Sequence, residues 1–357
     1  MPHRLRKVIG FSMTLMVRAI GATRAEYAGW PLPWMVGAMT AVIFVRCCGW
    51  LLVEIPYARR TGQWLIASAI GMHFTTAVAN QVLENFPVMI GGALLTLATG
   101  LIGIALLHRN GVDLPTSFFS LMPGNATEMI VLGEKYRANP ARVAAAHSLR
   151  LVLIVLLVPA VVTWGTGMIS RPPAASVDWS WLAIMLPLGG LVALAWSRVG
   201  APNGFAFGPM VTCAVFTMAF DLHIGMPPWL SKFGQLLLAT SLGSYFDRAF
   251  FRSAPQFLSK VVIFTVAAIL LSFASGFLLS RWSDVAPLSL ALGLMPGSSS
   301  EMSLTAEALS LGVALVTAMQ IIRMIVVMAV AEPLFNSGRD AQNPLPPDSL
   351  LAISDNP

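Results

Sequence analysis

Charge is the scarcest commodity in this sequence. Of 357 residues only 11% are Asp, Glu, Lys or Arg, against 56% hydrophobic, with a mean hydropathy of +0.75. An ordinary soluble domain carries about 25% charged residues, so a soluble globular class is excluded. Cysteine is nearly absent as well. Cys47, Cys48 and Cys213 form no CxxC pair and lie near no histidine, which excludes a disulfide framework or a zinc ribbon and leaves inert core thiols. The five histidines, His3, His73, His108, His147 and His223, show no metal-ligand spacing. No Walker loop, GxSxG, HExxH or dinucleotide fingerprint occurs. The expectation is therefore no enzyme: no catalytic residues, no cofactor and no metal. The formal net charge is +6, yet no run of five basic residues suggests a nucleic-acid-binding arm. A cleavable leader is not expected either. Met1-Pro2-His3-Arg4-Leu5-Arg6-Lys7 precedes an apolar run without an A-x-A-like site, which reads as an uncleaved first helix.

Long apolar runs, by contrast, are plentiful. A spanning helix takes roughly 20 such residues, and the chain has room for about ten. The first, from Val8, is the weakest and carries Arg18. Others cover 31–45, 62–79, 86–107 and 143–164, then 181–196, 204–220, 233–246, 261–279 and 312–331. Two blocks recur at almost one offset. Leu121-Met122-Pro123-Gly124-Asn125-Ala126-Thr127-Glu128-Met129 returns 173 residues later as Leu294-Met295-Pro296-Gly297-Ser298-Ser299-Ser300-Glu301-Met302, identical at six of nine positions. Gly62–Phe74 aligns without gaps on Gly234–Phe246 at an offset of 172, matching Gln63 with Gln235. The chain is thus a duplication: a first membrane repeat over 1–165, a linker over 166–180, a second repeat over 181–335, and a polar, Pro-rich tail over 336–357 expected to be disordered and cytoplasmic.

If each Pro-Gly segment turns back inside the bilayer, each half has five crossings and the second half is inverted. With a cytoplasmic N-terminus, only Arg24, Arg171, Lys232 and Arg281 then lie outside among the loop-borne basic residues. If both segments cross, the basic residues divide almost evenly, so the positive-inside rule favours the first arrangement. The expected fold is an all-α polytopic membrane protein of two inverted five-helix repeats, each with a Pro-Gly-broken or re-entrant segment. Both termini are expected to be cytoplasmic.

Pro removes a backbone donor and Gly tolerates sharp angles, so Pro123-Gly124 and Pro296-Gly297 break a membrane helix. Asn125 and Ser298 stand three residues before Glu128 and Glu301, the spacing of a capping box. Capping is the plain reading. The sharper one has two half-helix N-termini meeting near the midplane, as at transport sites built on inverted repeats. Arg150 and Arg323 each follow the Glu by 22 residues inside an apolar span, where an unpaired charge costs several kcal/mol. Glu128 and Glu301 are their expected partners, either in a structural pair or in one linked to an ion or solute. His147 and Gln320 precede these arginines by three residues, on the same helix face. The candidate solute or ion site is Pro123, Gly124, Asn125, Thr127, Glu128, Arg150, Pro296, Gly297, Ser298, Ser300, Glu301, Gln320 and Arg323, with His147, Gln63 and Gln235 secondary.

Asp113-Leu114-Pro115-Thr116-Ser117-Phe118-Phe119-Ser120-Leu121-Met122-Pro123-Gly124, then Glu128-Met129 and His147-Ser148-Leu149-Arg150, resembles the bacterial AbrB-type membrane protein family, built on the "AbrB duplication" repeat. It is distinct from the small DNA-binding protein that shares the name. Pro296-Gly297, Glu301-Met302 and Gln320-Ile321-Ile322-Arg323 fit the second copy, and the resemblance covers about residues 30–333. Two departures stand out: Asn125 and Ser298 replace a usual second Gly, and His147 a usual Gln. The resemblance implies a bacterial inner-membrane location and a role in regulating gene expression. The family often carries the label of a suspected ammonia monooxygenase, chemistry that needs clustered metal ligands this sequence does not offer. The expected function is a transporter-like body that moves or senses a small polar or anionic solute; the alternatives are a monooxygenase-type enzyme and a non-transporting scaffold. Expected partners are the lipid bilayer and that solute, with no direct nucleic acid and with self-association left open.

Overall fold

A computed structural model describes residues 3–50, 52–53, 55–167, 176–200 and 203–342, with side chains described within 11–337 except at 240–241 and those gaps. The described residues form sixteen α-helices and no strand. In the first half these are α1 (His3–Tyr27), α2 (Pro33–Cys47), α3 (Ala58–Gly71), α4 (Thr76–Glu84), α5 (Phe86–Arg109), α6 (Leu114–Leu121), α7 (Ala126–Lys135) and α8 (Pro140–Thr166). The second half repeats the series as α9 (Trp179–Arg198), α10 (Gly204–Ala219), α11 (Pro228–Gly243), α12 (Arg248–Ser253), α13 (Pro255–Leu279), α14 (Pro287–Leu294), α15 (Ser299–Ala308) and α16 (Val313–Gln342).

Local chemistry sets the helix starts. Asp113, Asn139 and Asp247 each accept a hydrogen bond from the backbone N–H three residues on, at 2.9, 3.1 and 2.7 Å. Proline fills the first turn of α2, α5, α6, α8, α13 and α14, where no N–H is needed. Five helices, α5, α8, α9, α13 and α16, are long and apolar enough to cross a membrane, so the chain is an all-α polytopic membrane protein.

Two expected boundaries differ. The apolar run 62–79 is not one helix: α3 stops at Gly71, and Thr75 caps α4 by accepting from the Val78 N–H at 3.4 Å. The predicted tail begins too early, because α16 continues past Asn336 to Gln342; residues 343–357 lie outside the described residues. Most of the 166–180 linker (168–175) also lies outside them.

The two halves interlock by exchange. α2 packs on α11 and α10 on α3; α8 packs on α13 and α16 on α5. α3 and α11 cross at the centre, and the crossing is reciprocal. A methyl group on Gly62 would lie 2.9 Å from the Leu238 nitrogen, and one on Gly234 would lie 3.1 Å from Ile66 Cδ1. Ile66 and Leu238 stand at matching positions of the two aligned sequence blocks, and each block sets its glycine against the other. Flanking glycines follow suit: Gly71 sits against α10 and Gly243 against α2.

Each Pro-Gly segment folds back on itself. The Asn139 N–H, at the exit of the first, donates to Thr116 Oγ1 at its entry (2.8 Å). In the second, the Gly312 N–H donates to Ser289 Oγ at 3.3 Å. Entry and exit lie side by side, so α6–α7 and α14–α15 are hairpins.

The close approach of α3 to α10 gives a test. A Cβ on Gly71 would fall 2.5 Å from the Met210 carbonyl oxygen, whereas one on Gly91 meets open space. Gly71→Val is expected to cost about 1–3 kcal/mol or more through overpacking, read as a lower thermal unfolding midpoint in detergent. Gly91→Ala is expected to leave the midpoint unchanged or slightly raised.

Candidate functional site

A break inside a membrane helix exposes C-terminal carbonyls that lipid cannot satisfy. In the second hairpin, α16 supplies the donors. Gln320 Nε2 donates to the carbonyls of Leu292, Gly293 and Met295 at 2.8, 3.2 and 3.1 Å. Arg323 donates to Met295 O, and through Nη2 to Gly297 O at 2.7 Å. In the first hairpin, α8 does the same with fewer bonds. His147 Nε2 donates to Phe119 O at 2.9 Å, and Arg150 Nη1 to Leu121 O at 3.4 Å. Arg150 Nη2 also donates to His147 Nδ1 at 2.9 Å. Arginine only donates, so that bond fixes the neutral tautomer with its proton on Nε2.

This overturns the expected Glu–Arg pairs. The ion pairs among the described residues are Arg46–Asp247, Lys135–Glu332 and Lys232–Glu26, and none includes Glu128, Glu301, Arg150 or Arg323. The guanidinium groups instead bond the partially negative C-terminal ends of α6 and α14. The capping box fails as well. Asn125 and Ser298 are the N-cap residues of α7 and α15, but neither side chain makes a cap hydrogen bond. The conserved spacing inside each copy has a packing reason: a methyl on Gly124 would lie 2.9 Å from Met129 Cε, and one on Gly297 3.0 Å from Met302 Cγ.

Both turns and both arginines line one cavity of about 110 Å³, well above the roughly 10–15 Å³ that a single water requires. Of the predicted site residues, Gly124, Asn125, His147, Arg150, Gln63, Gly297, Ser298, Ser300, Glu301 and Arg323 are in its wall. Pro123 and Pro296 instead face a second, smaller cleft behind the turns. Gln320 is buried against α14, and Gln235 bonds Ser231 Oγ at 3.5 Å. Thr127 is exposed and Glu128 half-buried, neither in the wall, while Glu301 is only 4% exposed. The two hairpins therefore differ: α15 is buried along most of its length, whereas α7 buries only Met129 and Gly133.

Sequence reasoning missed Arg59, Asn203, Ser299 and Thr317 in the wall. Arg59 carried a usable signal, four residues before Gln63 on the same face of α3. Asn203 carried none; it takes a left-handed conformation (φ 53°) at the start of α10. Glu301 Oε2, Gln320 Oε1, Arg150 Nε and Arg323 Nε are buried without a hydrogen-bond partner.

The AbrB family model, described as "Transition state regulatory protein AbrB", matches residues 34–337. The chain belongs to the AbrB family. A Bacillus subtilis (strain 168) protein named YhjN and described as uncharacterized is 23% identical over 355 residues, covering 90% of this chain and 91% of its own. An Escherichia coli (strain K12) protein named AbrB and described only as a candidate regulator is 25% identical over 307 residues, covering 82% and 86%. In this AbrB-family chain the paired blocks first noted in sequence are the two hairpins, and the matched arginines are what holds each break.

Removing a donor should expose the burden it carries. Gln320→Leu removes a donor from the Leu292, Gly293 and Met295 carbonyls, of which Met295 O keeps Arg323, and is expected to cost about 1–3 kcal/mol, measured by thermal unfolding in detergent. His147→Gln, which copies the second hairpin, is expected to retain most of the stability that His147→Leu loses.

Proposed function

We propose that this AbrB-family chain is a multi-pass protein of the bacterial inner membrane whose two halves are inverted copies with five crossings each. Its central cavity takes a small polar or anionic solute, to move or to sense it. Any effect on gene expression follows from that solute, without DNA contact by this chain and without enzymatic chemistry. The observation that carries the reading is the single cavity lined by both hairpin turns and both membrane arginines, the arrangement in which broken helices of inverted repeats bind solutes. Three arginines, Arg59, Arg150 and Arg323, stand in that wall against one carboxyl, Glu301, which favours an anion.

Inter-half contacts support the inversion. Glu26, at the end of α1, pairs with Lys232 at the start of α11 (2.8 Å). Arg46, at the end of α2, lies 3.9 Å from Asp247 just past α11. Lys260, near the start of α13, donates to Asn110 O just past α5 (2.9 Å). Followed along the chain, these meetings run α1 and α9 in opposite directions. They open the α6–α7 hairpin on the face where α2 ends and the α14–α15 hairpin on the opposite face. The first face gathers Arg46, Arg59, Arg60, Arg109, Lys135 and Lys260, and is cytoplasmic by the positive-inside rule. The same face receives the start of α1 and the end of α16. Arg59, exposed at the start of α3, and Asn203, before α10, lie toward it in the cavity wall, which favours an opening on that side.

Reporter fusions in the loops 135–142 and 308–312 test the arrangement. The first is expected in the cytoplasm and the second outside; a same-side result ends the inverted reading. With Cys47, Cys48 and Cys213 replaced by Ser or Ala, a single cysteine introduced by Asn203→Cys is expected to react with an impermeant maleimide from the cytoplasmic side only. Labelling from the outside alone would contradict an inward-opening cavity.

A further inference from the structure

The cavity wall holds opposite charges that do not neutralise each other. Glu301 is 4% exposed, Arg150 3% and Arg323 4%, and no ion pair joins them. Arg323 bonds two backbone carbonyls and Arg150 bonds Leu121 O and His147 Nδ1, but the Nε of each arginine and Oε2 of Glu301 have no hydrogen-bond partner. A buried carboxyl oxygen without a partner is costly, and a bare anion placed beside it would add repulsion. A ligand that answers both signs carries an anionic group for the arginines and the N–H groups opening α7 and α15, each ten residues long. It also carries a cationic donor for Glu301. Ile70, Phe207, Met210, Leu238 and Leu242 add an apolar stretch to the same wall, beside the polar Gln63, Asn203 and Thr317.

We propose that the cavity recognises a small α-amino acid with an apolar side chain. Its carboxylate lies at the half-helix N-termini, its ammonium at Glu301, and its side chain against α3, α10 and α11. The inference rests on reading the cavity as a solute site and narrows the solute to a zwitterion. The cavity of about 110 Å³ restricts it to the smaller members of that class.

The test is binding to the purified full-length chain in detergent, by titration calorimetry with thermal unfolding as a second readout. The probes are L-alanine, L-valine and L-leucine, each beside its deaminated acid and its decarboxylated amine, with 2-hydroxyisovalerate and inorganic phosphate. At least one amino acid is expected to bind roughly tenfold or more tightly than its deaminated acid and its amine, because loss of either charge strands a buried partner. Glu301→Gln is expected to shrink the preference for amino acid over deaminated acid while the acid still binds. Equal or tighter binding of the deaminated acid overturns the zwitterion and retains an anion site, as does binding of phosphate alone. Equal binding of valine and 2-hydroxyisovalerate overturns the ammonium assignment. If no probe binds, both this inference and the solute reading fall. The wild-type comparison decides without the variant should Glu301→Gln not fold.

Discussion

A helix that stops within a membrane leaves carbonyl groups pointing where no water can reach them, and the architecture of this chain follows from meeting that demand twice. The donors must come from a neighbouring helix at a fixed height. Arg150 with His147, and Arg323 with Gln320, sit one helical turn apart on the long helices that immediately follow each hairpin. A guanidinium suits the task because its fork of N–H groups reaches two carbonyls at once, which a lysine's single point charge does not. The otherwise prohibitive charge in the apolar span thereby becomes the clamp of the break.

The two clamps match in residue type and spacing, but the packing around them differs. The second hairpin is held by more hydrogen bonds and lies buried, with Ser303 Oγ and Thr317 Oγ1 2.6 Å apart across to α16 and Thr305 Oγ1 donating to Glu301 O at 2.8 Å. The first hairpin buries little of α7, and its clamp relies on a histidine in one tautomer. The reciprocal crossing of α3 and α11 supplies the centre about which these unlike arms are arranged. That crossing, together with the start of α10, supplies most of the cavity's apolar residues, with Arg59, Gln63 and Asn203 among them. The hairpin turns form its polar side.

Much of this was legible beforehand because a broken membrane helix writes itself in residue types. Pro-Gly marked both breaks, Asn125 and Ser298 marked the restarts, and the equal spacing to Arg150 and Arg323 marked the matched supports. The partner of each arginine was misread because its acceptors are backbone carbonyls, which every residue carries and no sequence pattern distinguishes. The side-chain caps were misread for a related reason: the spacing permits the bond, but the turn does not bring the groups together. Glu128 and Glu301 share one motif and separate in burial, since burial depends on the helices alongside and not on the motif. Arg59 entered the cavity wall from the first turn of α3, just ahead of the apolar run.

The sequence alone indicated an all-helical membrane protein with two matching Pro-Gly blocks and an arginine 22 residues beyond the Glu of each, because composition, proline, glycine and spacing act locally. Which carboxyl would be buried, what the arginines would hold, and that both turns would share one cavity were decided only by tertiary packing. Those outcomes depend on distances between helices remote in the chain, and the same local signal meets different neighbours in each half.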